Sequence, residues 1–281
     1  MPRKVLQFVS LWPNLKFLVQ IQQVVLIGSG NVATHLAHAL VAYGITVAQV
    51  YSRRLSNAEE LAHSVHSTAT NNLATIVPNA DLYVISVADD ALQTVTSLLP
   101  QVAGIVVHTS GSRPLEVLDR FANYGVLYPL QTFSKAKKTA FEQIPICLES
   151  SQKQVLEALY TLASCLSNDV RYLNSQQRRM AHLAAVFTNN FTNYMQVIAQ
   201  ELLEKQGLEP SLLQPLLHET FDKLLYMSPW AAQTGPAKRA DVNLIKNHLE
   251  LLNDYPAYKA IYQQISESIV TKTLLSDNLT S

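Results

Sequence analysis

The stretch "VVLIGSGNVATHLAHAL", Val24 to Leu40, decides the fold. Four apolar residues lead into Gly28-Ser29-Gly30-Asn31-Val32-Ala33, a G-x-G-x-x-A turn, and an apolar-periodic run follows. Strand, glycine turn and amphipathic helix, in that order, form the setting in which such a turn takes a dinucleotide. Gly28 permits the tight turn, Gly30 lets a pyrophosphate approach the backbone, and Ala33 lets the helix pack closely on the strand. Amides at the helix N-terminus are ready donors for phosphate.

Outward from this turn, the first 150 residues alternate β-branched runs with helical patterns. Strands are expected at Gln23–Ile27, Thr46–Tyr51, Leu82–Val87, Ile105–Thr109, Gly125–Tyr128 and Pro145–Leu148. Between several of them lie helical segments at Asn31–Tyr43, Ala58–Ser64 and Ala91–Leu99. This alternation predicts an α/β fold, a Rossmann-type doubly wound, mostly parallel sheet with helices on both faces. A helix at Ser151–Leu166 and a last strand at Val170–Leu173 follow, and the remainder reads as helix. The helical runs are Ser175 to about Lys205 stopped by Gly207, Ser211–Met227 stopped near Pro229, Arg239–Leu252 and Pro256–Leu275. The expected organisation is a poorly ordered N-terminal extension at 1–22, a nucleotide-binding domain at 23–174 and an all-helical substrate and dimerisation domain at 175–281. A cleft between the two domains is the default ligand site.

Composition narrows the partners. The 281-residue chain has a formal net charge of zero and 15% charged residues, so no global field draws it to nucleic acid or to an anionic membrane. Its two cysteines, Cys147 and Cys165, have no metal-ligand spacing and read as buried reduced thiols of a cytoplasmic protein without a metal. The basic, apolar start mimics a secretion signal, but Trp12-Pro13-Asn14 interrupts it and no small-residue cleavage site follows. The run is also too short and too broken to span a bilayer.

The second strand ends in Tyr51-Ser52-Arg53-Arg54, with no acid for a ribose hydroxyl but a hydroxyl and two guanidiniums for a 2′-phosphate. This selects NADP over NAD. "LYVISVADDAL" places Val87 and Ala88 against the nicotinamide ribose, while Asp89 and Asp90 read as an N-cap and its first-turn companion. "VVHTSGSRP" puts His108, Ser110, Gly111 and Ser112 at a strand end, and "LYPLQTF" puts Gln131 and Thr132 at another. Hydroxyls and amides there suit an anion such as a substrate carboxylate; helix capping by Ser112 and a packed His108 are the alternatives. In "RRMAHLAAVFTNNFTNYMQVIAQ", an α-helical period of about 100° per residue brings His182, Asn189 and Asn193 within roughly 20° of one direction. Such a stripe is either a structural network or a site facing the cleft.

The motifs "HTSGS", "YPLQTF", "HLAAVFTNNFTN" and "AQTGPAKRAD" resemble the Rossmann-like family that carries a domain of unknown function numbered 2520. Its members are described as NADP-dependent oxidoreductases, and one branch acts as a ketopantoate reductase. The resemblance runs from Gln23 to the C-terminus. It implies a two-domain architecture like the β-hydroxyacid dehydrogenases and pyrroline-5-carboxylate reductases, with a second all-α domain like that of 6-phosphogluconate dehydrogenase. Those dehydrogenases carry a catalytic lysine three residues before a paired asparagine. Here the pair is Asn189-Asn190 and the lysine position is Val186, so the usual proton donor is missing. His182, one turn earlier, can take its place with Asn189 orienting the carbonyl. Ser110-Gly111 resembles the small-residue substrate loop, and Arg239 in "AQTGPAKRAD" either clamps a carboxylate or pairs with Asp241.

The expectation is thus an NADPH-dependent reductase of a small carbonyl substrate carrying a carboxylate, a 2-keto acid such as ketopantoate. His182 is its general acid, and His108 is in reserve. A reductase of a cyclic imine like pyrroline-5-carboxylate and a non-catalytic NADP-binding sensor or scaffold are the alternatives. A homodimer through the helical half is expected.

Overall fold

A computed structural model describes residues 21–137 and 139–277. The chain divides into two compact units, Met1–Asn190 and Phe191–Ser281. Most of the expected N-terminal extension, through residue 20, lies outside the described residues. Ile21 packs into the core, and the Gln22 amide donates to the Asp81 carboxylate at 2.9 Å.

The first unit runs β1 (Gln23–Ile27), α1 (Asn31–Ala42), β2 (Thr46–Tyr51), α2 (Leu55–Ser64), β3 (Thr68–Thr70), β4 (Leu82–Ile85), α3 (Asp89–Leu98), β5 (Ile105–His108), β6 (Tyr124–Pro129), β7 (Ile146–Glu149), α4 (Lys153–Leu166), β8 (Val170–Tyr172) and α5 (Ser175–Ala185). The eight strands form one sheet in the order β3-β2-β1-β4-β5-β6-β7-β8. From β3 to β6 all neighbours are parallel, which gives the doubly wound, Rossmann-like arrangement. After β6 the chain returns without a crossover helix, so β7 runs antiparallel to it. The crossover helix α4 then delivers β8 parallel to β7.

Strand β1 shows why this sequence makes a two-faced core. Val24 and Leu26 enter the hydrophobic cluster on one face, and Val25 and Ile27 enter the cluster on the other. Each fully buried side chain of this kind contributes about 1.5–3 kcal/mol relative to exposure. The strand order reverses between β1 and β4. Ligands of such sheets bind outside the carboxyl ends of the strands at this point.

Several features depart from the sequence reading. β3 is three residues of Thr68-Ala69-Thr70, too short and polar to read as a strand, and it exists because β2 offers it a parallel edge. Cys165 is exposed on α4 rather than buried; Cys147 is buried. The run expected as one α-helix from Ser175 to Lys205 is α5, a π-helical turn at Val186–Phe191, and α6 (Thr192–Lys205).

The second unit continues with α7 (Gln214–Lys223), α8 (Pro229–Ala232), α9 (Val242–Leu251) and α10 (Pro256–Asp277). The helix expected from Ser211 is a short 3-10 turn and then α7, because Pro215 is accommodated only in the first turn of a helix. The helix expected from Arg239 starts later, where the Asp241 carboxylate caps α9 by accepting from the Leu244 amide at 3.1 Å. Among the described residues, no helix is long and apolar enough to cross a membrane.

Candidate active site

The glycine turn lies between β1 and α1, at the carboxyl edge of the sheet. Gly28 has φ +128°, and a Cβ there would sit 2.0 Å from the Ser86 carbonyl oxygen, so the chain itself demands glycine. Gly30 is different. Its φ is −76°, and an added Cβ would meet nothing within 4 Å. Gly30 is also the N-cap of α1, and no side chain bonds the first amides of that helix. Ser29 and Ala33 are buried and Val32 packs partly on the core, which fixes the helix on the strand. Asn31 Nδ2 donates to Phe133 O at 2.9 Å, and His35 Nε2 lies 2.9 Å from Ser134 O, tying the loop after β6 to α1.

At the end of β2 the Tyr51 carbonyl accepts from the Gly28 amide at 2.8 Å, and the Ser52 amide donates to Thr70 O at 3.1 Å. Arg53 and Arg54 are exposed beside them and form no ion pair among the described residues. Val87 packs on the core and Ala88 is the N-cap of α3. Uncapped amides, space at Gly30 and two unpaired guanidiniums are the donor set that a phosphate-bearing dinucleotide requires.

A second cluster forms around the loop after β5. The Arg178 guanidinium, on α5, is wholly buried. It pairs with Glu149 at the end of β7 and donates through Nε to Ser110 O at 3.2 Å and through Nη2 to Arg113 O. Glu149 also accepts from the amide and hydroxyl of Ser175, at 2.7 Å and 3.0 Å. One cation thus joins strand β7, the loop and α5. The Ser110 hydroxyl accepts from the amides of Ser112 and Arg113 at 3.1 Å and 3.0 Å, closing the loop on itself. His108 is fully buried; its Nδ1 accepts from the Ser110 amide at 3.1 Å and its Nε2 faces Pro114 O at 3.3 Å, leaving neither nitrogen open.

His182 follows Arg178 by four residues and lies on the same face of α5. Its ring lies on the loop backbone: a Cβ added to Gly111 would meet the ring at 2.7 Å and Tyr128 Cζ at 2.8 Å. Tyr128, near the end of β6, places its hydroxyl 2.9 Å from His182 Nδ1. Burial pushes the Tyr128 phenol up to about 12, with Cys147 adding to the rise and Arg178 opposing it. The phenol therefore stays protonated near neutral pH.

Asp89 completes the cluster. Ala88 is the N-cap of α3, so both Asp89 and Asp90 stand in its first turn and neither is the cap that the sequence suggested. The Asp89 carboxylate instead accepts a hydrogen bond from the Ser112 hydroxyl. Burial alone would raise its pKa, but the Ser112 and Ser110 hydroxyls and the charges of Arg113 and His182 outweigh burial and hold it below the ordinary carboxylate value.

The structure brings His108, Ser110, Gly111, Ser112 and His182 together. The pattern did not single out Tyr128, Arg178, Glu149 or Asp89 for this cluster. The spacing of Arg178 four residues before His182 was the signal available for one of them. Gln131 and Thr132 are exposed, with the Gln131 side chain accepting from the Thr132 amide at 2.8 Å. Asn189 lies inside the π-helical turn, so the α-helical period that aligned it with His182 does not hold there. Asn193 and Arg239 belong to the second unit and are exposed. Asp241 caps α9 and makes no ion pair with Arg239.

His108 makes stability pH-dependent. Burial, with the Arg178 charge adding to it, lowers its pKa to about 4. In the unfolded chain it titrates near 6.5, so as pH falls below that value the unfolded state gains a proton that the native state refuses. Stability is therefore expected to drop by about 2 kcal/mol between pH 7.5 and pH 5 from this residue. Urea titrations at the two pH values should show the drop in the wild type and its loss in His108→Gln. An equal drop in both proteins would assign it to other groups.

A family described as "NADP oxidoreductase coenzyme F420-dependent" matches residues 23–110, and the domain of unknown function 2520 matches residues 144–269. No curated protein matches the chain. Among solved structures, a Bacteroides fragilis protein described as a "putative NADP oxidoreductase" is 44% identical, with 89% of this chain and 98% of that chain covered and a TM-score of 0.83. Two others share the fold at low identity. A reductive aminase from Aspergillus terreus in complex with NADPH and ethyl-5-oxohexanoate is 12% identical over 92% of this chain and 95% of its own, with a TM-score of 0.69. An imine reductase from Myxococcus stipitatus in complex with NADP+ is 15% identical over 92% and 94%, with a TM-score of 0.59. The chain belongs to the NADP oxidoreductase family in which a Rossmann-like domain precedes the domain of unknown function 2520.

Proposed function

We propose that this oxidoreductase uses NADPH to reduce a small carbonyl compound or the corresponding imine, with His182 as proton donor. A 2-keto acid such as ketopantoate and a cyclic imine like pyrroline-5-carboxylate are the two candidate substrates. One observation carries the reading: the His182 ring lies on Gly111 with Nδ1 held 2.9 Å from the Tyr128 hydroxyl. A protonated phenol donates to Nδ1 of a neutral imidazole, which puts the ring proton on Nε2, the nitrogen left for substrate.

NADPH, when bound, supplies the hydride. Gly28, Ser29, Gly30, Asn31, Val32 and Ala33 would hold its pyrophosphate, and Tyr51, Ser52, Arg53 and Arg54 its 2′-phosphate. Val87 and Ala88 would border the nicotinamide ribose. Gly111 and Ser112 would position the substrate, and Asn189, Gln131 and Thr132 would complete its surroundings. Arg178 and His108 hold the loop that carries Ser110, Gly111 and Ser112.

We further propose a cytoplasmic homodimer. Among the described residues of the second unit only Ala237, Leu252, Ser266 and Thr273 are buried, while Tyr226, Leu251, Leu225 and Val242 are more than 70% exposed. An open apolar groove of about 280 Å³ runs along Ile198, Leu202, Ile261 and Ile265. Apolar helix faces this extensive need cover, and a second copy related by twofold symmetry is the commonest one. Sedimentation at micromolar concentration should give twice the chain mass; a monomer would exclude the dimer.

The catalytic reading is tested with NADPH oxidation on the two candidate substrates. His182→Gln should lower kcat by about a hundredfold or more, the usual contribution of a general acid. Tyr128→Phe removes one hydrogen bond of about 0.5–1.5 kcal/mol, so kcat should fall about two- to tenfold with the NADPH Kd unchanged. Wild-type kcat in His182→Gln would remove the assignment. The cradle is tested by two alanines. Gly30→Ala should cost less than about 1 kcal/mol of stability, yet weaken NADPH binding about tenfold or more, a loss of about 1.4 kcal/mol. Gly28→Ala should lose at least about 1–3 kcal/mol of stability from backbone strain alone. Unchanged NADPH affinity in Gly30→Ala would move the pyrophosphate elsewhere.

A further inference from the structure

The loop after β5 resembled a carboxylate cradle in sequence, but apart from the Gly111 amide its donors are spent. The Ser110 amide bonds His108 Nδ1, and the amides of Ser112 and Arg113 bond the Ser110 hydroxyl. The Ser112 hydroxyl is given to Asp89. Both nearby cations are also committed. Arg178 is sealed from solvent against Glu149, and the Arg113 guanidinium reaches Asp90 at 3.4 Å.

What remains without a direct counter-ion is an anion. Asp89, half-buried beside Ser112, forms no ion pair among the described residues; the Ser112 and Ser110 hydroxyls and the more distant charges of Arg113 and His182 favour its ionised form. Gly111, the next residue, is the one on which the His182 ring lies. A carboxylate held in its charged form with no direct cationic partner is free to accept a charge-assisted hydrogen bond from a ligand. The first turn of α3 stabilises it in part through the helix dipole, and that suffices for the fully exposed Asp90. The Asp89 carboxylate is turned to the loop, where a substrate at His182 would meet it.

We propose that Asp89 is a subsite for a cationic nitrogen and that the physiological substrate is a C=N compound, reduced to an amine. This deepens the proposed reductase reading and rests on it. A C=N nitrogen that takes the Nε2 proton of His182, as the Tyr128 hydroxyl passes its own proton to Nδ1, becomes an iminium cation; the imidazole stays neutral, the phenolate keeps the compensating charge, and the Asp89 carboxylate stabilises the cation as a charge-assisted partner. Addition of the hydride carried by NADPH to the iminium carbon converts C=N to CH–N. The nitrogen keeps the pair of electrons from the broken π bond, and the two-electron oxidation of the coenzyme balances the reduction. A keto acid offers Asp89 only like charge.

The test uses the NADP-loaded protein and two ring compounds of the same shape, cyclopentylamine and cyclopentanol, with Kd measured by calorimetry at neutral pH. The ammonium should bind about tenfold tighter than the alcohol or better, a margin of about 1.4 kcal/mol. Asp89→Asn should abolish that margin, while Asp90→Asn keeps it. Asp89→Asn preserves shape and an acceptor for Ser112, so the variant should melt near the wild type. Equal binding of the two compounds, no binding of the amine, or an intact margin in Asp89→Asn overturns the proposal. The outcomes separate from those of the reductase reading, because His182→Gln tests proton delivery by kcat and leaves the amine margin in place.

Discussion

The buried Arg178–Glu149 pair is the constraint on which the candidate site depends. A guanidinium with no exposure is tolerated only when its hydrogens are spoken for, and here a carboxylate, two loop carbonyls and the Ser175 hydroxyl receive them. Such pairs add little net stability over an apolar replacement, yet removing one partner strands the other at a cost of about 3–5 kcal/mol. The pair therefore acts as a specificity device. It lets α5 meet the sheet in one register, the register in which the His182 ring abuts Gly111 and finds the Tyr128 hydroxyl.

Glycine serves two masters in this chain. Gly28 and Gly111 are required by the protein, one by its φ and the Ser86 carbonyl, the other by two aromatic rings. Gly30 answers no such demand, since a methyl group there would touch nothing. A residue whose smallness the fold does not use is smallness kept for something that arrives later, and the uncapped amides of α1 beside it indicate an anion.

The sheet was legible because its signals are local. The β-branched runs of β1, β2, β4 and β5 carry the period and the glycine turn carries the topology, so the Rossmann-like order follows from them. β3 was not legible, being a strand by virtue of its neighbour, and neither was the π-helical turn, since Val186–Phe191 has no composition that distinguishes it from α-helix. The site was half legible for the same reason. His182, Ser110, Gly111 and Ser112 sit in recognisable strings, whereas Tyr128, Glu149 and Asp89 acquire their roles only across strands far apart in sequence. The Tyr128–His182 bond spans 54 positions and the Ser112–Asp89 bond spans 23. Pairings of that kind are properties of the fold.

The missing lysine becomes intelligible in charge terms. At the position where the resembling dehydrogenases carry it stands Val186, the first residue of the π-helical turn. In the proposed reductase the proton duty falls to a histidine one turn earlier, braced by a phenol that burial keeps neutral. A lysine would bring a fixed positive charge as well as a proton; the His182–Tyr128 pair brings a proton alone when the imidazole is neutral. Beside it Asp89 holds a negative charge that no protein cation among the described residues pairs with directly, the Arg113 and His182 charges acting on it from beyond ion-pairing distance. In the proposed reading the direct counter-ion comes with the ligand, and a protonated C=N nitrogen carries it where a carbonyl oxygen does not.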